Sequence, residues 1–474
     1  MIKKGRFDLL QLLQAPWELF SELYQSVDRD FLTVSNRIRT DPESLRTFEA
    51  LSIELFHCLV KSSYPNPSRL GIVKTKLRAK IREFASDKGF SFLCLALFKG
   101  LGEYLGTSKQ YELRHAGPIR VDSLTITTAP PNVIYKNLPN PIKKRYGVGI
   151  PDFTDLFEHI SVIKETSPSI EPLKKTGLLS QVDTYLGWRI REGLKIGVSP
   201  FYGKIELEAQ SLVQSWPPDK KTPYWFTGIK NRKEAEDHLY RLLQQCQEEG
   251  ANILVLPELT IDQDLLKSLK EWLNKNNRER VSSGRNGLIM VVAGSFHMEE
   301  KEGAIYNLST IFNHRGDVLW SQKKRQPYSF DRMDIEKHPE FKALLNTSEE
   351  GGYEKISTTE RIYCLDTSLG RICVCICLDY FHHDHAEAFK GAGINVFFVP
   401  AMSPQNIQLQ QKAWQLGGSN QAASFVALSG IFLRTKASAT QKKVPFYYLP
   451  TTRKPYTYAI GKYSDLLIFE LISL

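Results

Sequence analysis

Apolar positions over the first hundred residues recur at helical spacing. Trp17, Phe20, Leu23, Tyr24 and Val27 form one stripe that follows Pro16, a residue suited to a first helical turn. Asp41-Pro42-Glu43 reads as an N-cap, a first-turn proline and a dipole-matched acid, and opens a helix through Leu45, Phe48, Leu55 and Leu59. A third stripe turns Val73, Leu77, Ile81 and Phe84 inward and leaves Lys74, Lys76, Arg78, Lys80 and Arg82 on the outer face. The pattern predicts a mainly α-helical N-terminal domain over residues 1–116. Prolines at 118, 130, 131, 139, 141 and 151 then interrupt any long element, and 117–192 reads as a Pro-rich connector.

After Gly193 the periodicity changes to alternating strands and helices. Leu194–Val198 and Asn252–Leu256 are short apolar strand runs, separated by a helical stripe of Ala235, Leu239, Leu242, Leu243 and Cys246 that Gly250 closes. Strands are expected again over 288–293, 307–312, 371–376 and 396–399, with helices near 263–273 and 385–391. Residues 193–474 are therefore expected to fold as an α/β domain.

Composition narrows the class. Hydrophobic residues at 42% and charged residues at 24% describe an ordinary folded chain of 474 residues. The longest apolar run, Phe90–Phe98, is too short for a membrane span of about twenty residues. Residues 1–14 carry Lys3, Lys4 and Arg6 but no small-residue cleavage site, which makes an unconvincing secretion signal, so the cytoplasm is expected; seven cysteines, an odd number at wide spacing, read as free thiols. Residues 61–145 hold 16 Lys/Arg against 5 Asp/Glu. That block is either a solvated basic surface or a contact for a nucleic acid or protein partner.

Three segments place a reactive side chain at the end of a strand. In Ile253-Leu254-Val255-Leu256-Pro257-Glu258 the proline stops the ladder and the acid projects beyond it. Gly316 to Arg325 is a turn, a strand and a basic cluster containing Lys324. Gly370 to Asp379 alternates with period two and ends on Cys377. A thiol nucleophile needs a base, and acyl chemistry needs a positive charge or aimed N–H groups for the oxyanion. Glu258 and Lys324 are suited to those tasks. Cys373 and Cys375 are expected to be packing residues, spaced about 7 Å per two-residue step along the strand. His382, His383, Asp384 and His385 are adjacent residues, which rarely converge on one ion without ligands from elsewhere, and no metal site is assigned.

These segments, with Glu249-Gly250-Ala251-Asn252, Tyr306-Asn307 and Gly391-Ala392-Gly393-Ile394, resemble the nitrilase-like carbon–nitrogen hydrolases over about 280 residues. The resemblance implies a four-layer α-β-β-α sandwich preceded by the helical domain. It also implies Glu258 as general base and acid, Lys324 as electrostatic stabiliser, Cys377 as nucleophile and the Leu378 backbone N–H as oxyanion donor, with no cofactor. A second glutamate is expected between lysine and cysteine, with Glu336 and Glu340 as the candidates. Where the family shows an aromatic and then Arg-Phe-Pro-Glu after the nucleophile, this chain has Leu378 and Tyr380-Phe381-His382-His383. Glu340, Asp379, Tyr380, His382 and His383 are the further candidates for the pocket. The expected activity is cleavage of a small amide or nitrile by a homo-oligomer. The alternatives are acyl transfer with the same triad, or a non-catalytic sensor or scaffold in a bacterial defence or signalling assembly.

Overall fold

The computed structural model describes residues 169–429 with breaks at 175–176, 202–204, 301–302, 338, 404–405 and 420–421, together with 50, 52–53, 119–121, 124–128, 160–164, 445–449, 456–457 and 466–471. Chain contacts divide it into two units, one of residues 1–131, 147–165 and 391–393, the other of 132–146, 166–390 and 394–474. The helices expected over 16–27 and 73–84 lie outside the described residues, as does nearly all of the basic block 61–145. In the first unit Ile119–Val121, Leu124–Thr128 and Ile160–Lys164 form an antiparallel sheet in that order.

The segment expected to be a connector is therefore in part structured. Strands Ile119–Val121 and Leu124–Thr128 occupy the interval between the prolines at 118 and 130, so the proline spacing leaves room for short strands. The last part of that segment belongs to the second unit. Ser169–Pro172 pairs in parallel with Arg361–Thr367, and the helix Leu178–Glu192 buries Val182 and Leu186 in the second unit's core.

Two seven-stranded sheets form the centre of the second unit. One runs Phe296–Glu299, Ile305–Asn313, Met290–Val292, Ile253–Val255, Leu194–Val198, Leu467–Leu471, with Val318–Lys323 also paired to Ile305–Asn313. The other runs Tyr456–Thr457, Phe446–Tyr448, Ala423–Leu428, Val396–Ala401, Gly370–Val374, Arg361–Thr367, Ser169–Pro172. The central strands of each are parallel.

Both faces of these strands are covered, which explains their uninterrupted apolar runs. Ile253, Val255, Met290 and Val292 meet Ile372, Val374, Val396 and Phe398 between the sheets. Their neighbours Leu254, Leu256 and Val291 face outward and pack with Leu239, Leu242, Leu243, Cys246, Leu265 and Leu269 of the helices Arg232–Glu249 and Gln263–Trp272. Asp262 caps the latter by accepting from the Leu265 N–H at 3.0 Å, and Gly250 closes the former at φ 74°. On the outer face of the other sheet lie His383–Gly391 and Asn406–Ser419, where Leu409, Ala413 and Leu416 are buried. The order is helix, sheet, sheet, helix, as the resemblance implies. No described helix is long and apolar enough to cross a membrane.

A small sheet, Ser329–Phe330, Gly352–Glu354, Thr222–Ile229, Leu207–Ser211, completes the second unit. Polar composition hid the strand Gly352–Glu354, since Glu349-Glu350-Gly351-Gly352 reads as a turn.

Gly294 lies where two strand ends come closest. Its φ is +69°, and a Cβ there would sit 2.1 Å from the Pro257 carbonyl oxygen, next to Glu258. Gly294→Ala is expected to lower unfolding free energy by about 2–4 kcal/mol, combining a left-handed backbone with a backbone clash. Urea denaturation measures it, and a loss under about 0.5 kcal/mol would refute the assigned geometry.

Candidate active site

Strand ends deliver the reactive groups. Pro257 ends the ladder after Ile253–Val255, and Glu258 then forms a single parallel bridge with Ser295. The next residue, Leu259, takes φ 58° and donates its N–H to the Ser295 carbonyl at 2.7 Å. Lys324 follows the strand Val318–Lys323 and donates its backbone N–H to the Asn307 carbonyl at 2.8 Å. Cys377 lies beyond Gly370–Val374, with its N–H on the Pro400 carbonyl at 2.9 Å, φ 47° and ψ −102°. A non-glycine residue in that conformation costs about 1–3 kcal/mol, sustained by the buried surroundings. It also begins the short helix Leu378–Phe381, so the thiol stands at the corner of a strand-to-helix turn.

The three side chains meet, joined by a fourth that the sequence did not single out. Lys324 Nζ lies 2.9 Å from Glu258 Oε1 and 2.7 Å from Glu354 Oε2. Asn307 Nδ2 donates to Glu258 Oε1 at 3.0 Å and to Glu354 Oε1 at 2.8 Å. The Met402 N–H reaches Glu258 Oε2 at 2.9 Å, and the Tyr328 N–H reaches Glu354 Oε2 at 2.8 Å. His297 accepts the Phe226 N–H on Nδ1 at 2.8 Å, which leaves Nε2–H to donate to Glu354 at 2.7 Å. Glu258, Lys324, Glu354 and Cys377 are each at most 5% exposed. They share a pocket with Tyr224, Phe226, Leu259, Tyr328, Leu345 and Met402.

Burial and charge set the protonation states. Burial works against the Lys324 ammonium, but the Glu258 and Glu354 carboxylates outweigh it and hold Lys324 well above the usual lysine range. Burial likewise opposes ionisation of Glu354, yet Lys324 and the His297 hydrogen bond hold it well below the carboxylate range. Burial and the Glu258 carboxylate push the Cys377 thiol well up, against the pull of Lys324. The resting site therefore holds a charged ammonium and a protonated thiol.

Glu336 is not the second glutamate. It stands on the solvent side of the helix Arg332–Lys337, its side chain 67% exposed and paired with Arg332, while Ile335 is the residue turned inward. Glu340 begins the helix Glu340–Leu345, and its side chain lies outside the described residues, as does that of His383. Tyr380 is a core residue: it is fully buried, its hydroxyl is 2.7 Å from Ser424 Oγ and its ring packs on Phe397. His382 packs against His385 with ring centroids 4.9 Å apart, away from the pocket-lining residues. Leu378 is the first residue of the helix that Cys377 caps. Cys373 and Cys375 are buried as expected, but their sulfurs are 3.5 Å apart because the strand stops at Val374 and extended spacing ends with it.

Asp379 is buried and acts from behind the pocket. Its carboxylate accepts the N–H of Arg325 at 3.0 Å and of Gln326 at 2.8 Å, tying the lysine segment to the Cys377 turn. The Asp379 carbonyl accepts His385 Nδ1–H at 2.7 Å, and His385 Nε2 in turn receives Arg325 Nη1 at 2.6 Å. Glu354, Asn307 and His297 are the site residues that sequence reasoning did not assign. Tyr306-Asn307 stood out as a motif, whereas Glu354 carried no local signal.

No family model matches the chain. Nitrilase homolog 2 of Dictyostelium discoideum is 23% identical over 192 residues, which cover 38% of this chain and 55% of that protein, so the chain spans about half the length of that relative. Among solved structures, Saccharomyces cerevisiae Nit3, of branch 10 of the nitrilase superfamily, is 16% identical with TM-score 0.35, covering 59% of this chain and 90% of its own. An amidase from Nesterenkonia sp. is 15% identical with TM-score 0.35, again over 59% and 90%.

Burial pushes Asp379 up to about 7, although the Arg325 and Gln326 amides pull it down. An acid whose folded value lies above its ordinary value of about 3.9 adds stability at low pH and loses it between about pH 4 and about pH 7. Asp379→Asn removes that titration and keeps an oxygen for the amides. Its stability relative to the natural chain should therefore rise from about pH 5 to about pH 8. Urea midpoints at the two pH values measure this, and a constant difference would contradict it.

Proposed function

We propose that this nitrilase-like unit cleaves a non-peptide carbon–nitrogen bond of a small amide or nitrile, through a thioester on Cys377. One observation carries the reading: a thiol, an ammonium and two carboxylates, all buried, converge on a single pocket.

The chemistry follows from the protonation states. A thiol this resistant to ionisation attacks only as its proton leaves, and Glu258 is the carboxylate that shares its pocket and, after burial, raises it most. The Cys377 sulfur bonds to the carbonyl or nitrile carbon while Glu258 takes the proton. Two of the three Lys324 N–H groups serve the glutamates, so the third is available to the oxyanion together with the Leu378 N–H at the helix start. For an amide, the C–N bond then breaks as Glu258 returns the proton to the departing amine; for a nitrile, the proton goes to nitrogen to give a thioimidate, which adds one water and loses ammonia, and both routes leave the thioester. Water attacks the thioester, Glu258 takes its proton, the acid departs and the sulfur is reprotonated. Glu354 keeps Lys324 charged, so the lysine acts as a donor and not as a base.

The pocket also selects by charge. One ammonium faces two carboxylates, and the other described lining residues are aromatic, aliphatic or thioether side chains. A neutral apolar acyl group fits this lining, whereas a further carboxylate would be repelled in a medium that screens poorly.

The test compares ammonia release from small neutral amides and nitriles by the natural chain and by Cys377→Ala. The substitution should abolish turnover, and equal activity in both proteins would overturn the assignment. In intact-mass labelling, Cys377 should favour iodoacetamide over iodoacetate by about tenfold more than the unfolded chain does, a difference of about 1.4 kcal/mol. Equal preference would refute the charge selection.

Lys324→Ala should lower turnover by about 10²- to 10³-fold, the typical cost of losing one oxyanion donor. It should also cost about 3–5 kcal/mol of stability, because it strands two buried carboxylates. Steady-state rates and urea unfolding check the two effects, and unchanged stability would contradict the ion triad.

A further inference from the structure

We propose that Asn307 is a positioning residue: a neutral amide that holds Glu258 and Glu354 onto Lys324 without adding charge to the cluster. This rests on the reading of Glu258 as the proton acceptor for Cys377.

Asn307 has no solvent exposure and lies within the strand Ile305–Asn313. One nitrogen, Nδ2, spends both its hydrogens on the two carboxylates, at 3.0 Å to Glu258 and 2.8 Å to Glu354. The Lys324 ammonium bridges the same pair, so amide and ammonium close a ring with the two glutamates. The Asn307 carbonyl also receives the Lys324 backbone N–H at 2.8 Å. One residue thus fixes both the lysine's backbone and its two counter-ions.

The chemistry of the side chain follows from this placing. Two carboxylates brought together out of water repel each other, and donors must offset that repulsion. A second ammonium would do so at the expense of the proton affinity that Glu258 needs, whereas an amide donates twice without net charge. The amide's orientation is dictated too, since a flip would set Oδ1 against two carboxylate oxygens. Oδ1 instead lies buried with no hydrogen-bond partner, an uncommon condition in a folded chain. A leucine would avoid that orphan oxygen; the amide is explained by its two N–H groups. Asn307 does not line the pocket, so it acts through the glutamates.

The experiment follows iodoacetamide labelling of Cys377 in the full chain by intact mass, from about pH 5 to about pH 9, because the thiol proton must pass to the carboxylates that Asn307 holds. The natural chain is compared with Asn307→Leu, which keeps the volume and removes both donors, and Asn307→Ser, which retains one. The acid limb should move up by about one pH unit or more in the leucine variant and by less in the serine variant, while the high-pH plateau changes by less than about threefold. An unshifted limb, with rates unchanged or lowered equally at every pH, overturns the proposal. If the leucine variant fails to fold by circular dichroism, the serine variant alone decides on the same criterion. Failure of the natural chain to label at Cys377 overturns the reading beneath it as well, so the two failures are distinguishable.

Discussion

A single ammonium, that of Lys324, holds the second unit's strand ends together. It is 2% exposed and lies between two carboxylates from separate segments, Glu258 beyond Ile253–Val255 and Glu354 at the end of Gly352–Glu354. Such a cluster survives out of water only when every charge is met, since desolvating each ion costs several kcal/mol. Asn307, His297 and the N–H groups of Met402 and Tyr328 meet the remaining oxygens. Removing any one of these partners would leave charge uncompensated in a dry interior.

That cluster demands a rigid frame, and the frame is the pair of sheets packed face to face. Side chains from alternate positions of each central strand fill the space between sheets, while their neighbours pack against the helices outside. A close-packed interior resists small displacements, which is what hydrogen bonds of 2.7 to 3.0 Å to Lys324 and Asn307 require. The frame also sustains two strained residues, Leu259 at φ 58° and Cys377 at φ 47°, each directly beside or within the reactive group. Strain at Cys377 turns the thiol out of the strand and into the pocket, whereas Cys373 and Cys375 remain in the core.

Asp379 connects this frame to the lysine segment from the other side. By holding the N–H groups of the two residues after Lys324, it ties the Cys377 turn to the segment that delivers the ammonium. The charge triad fixes the side chains from within the pocket, and this clip fixes their backbone from behind it. The triad joins the ammonium to the two glutamates, and the clip joins the lysine segment to the Cys377 turn, so the lysine segment is common to both constraints.

How much of this was legible in the chain depends on whether the signal is local. Helical stripes such as Ala235 to Cys246, the terminating Gly250 and the apolar runs at 253–256 and 396–399 are set by neighbours in sequence, so both the elements and the α/β class could be read directly. Glu258 and Cys377 were legible because each follows an apolar strand that ends abruptly, and Lys324, in a basic cluster after a half-polar strand, became legible only in company with them. Glu354 was not, because its strand has three residues and polar surroundings, and its burial exists only once it pairs with Thr222–Ile229. The same holds for Tyr380, whose nearness to Cys377 in sequence suggested a pocket residue. The helical turn after Cys377 instead sends it to Ser424 and the core. Sequence by itself determined the strand ends and the triad candidates on them. Only the tertiary structure decided which acid pairs with Lys324, because that choice is made by desolvation and distance between segments thirty and sixty-six residues apart.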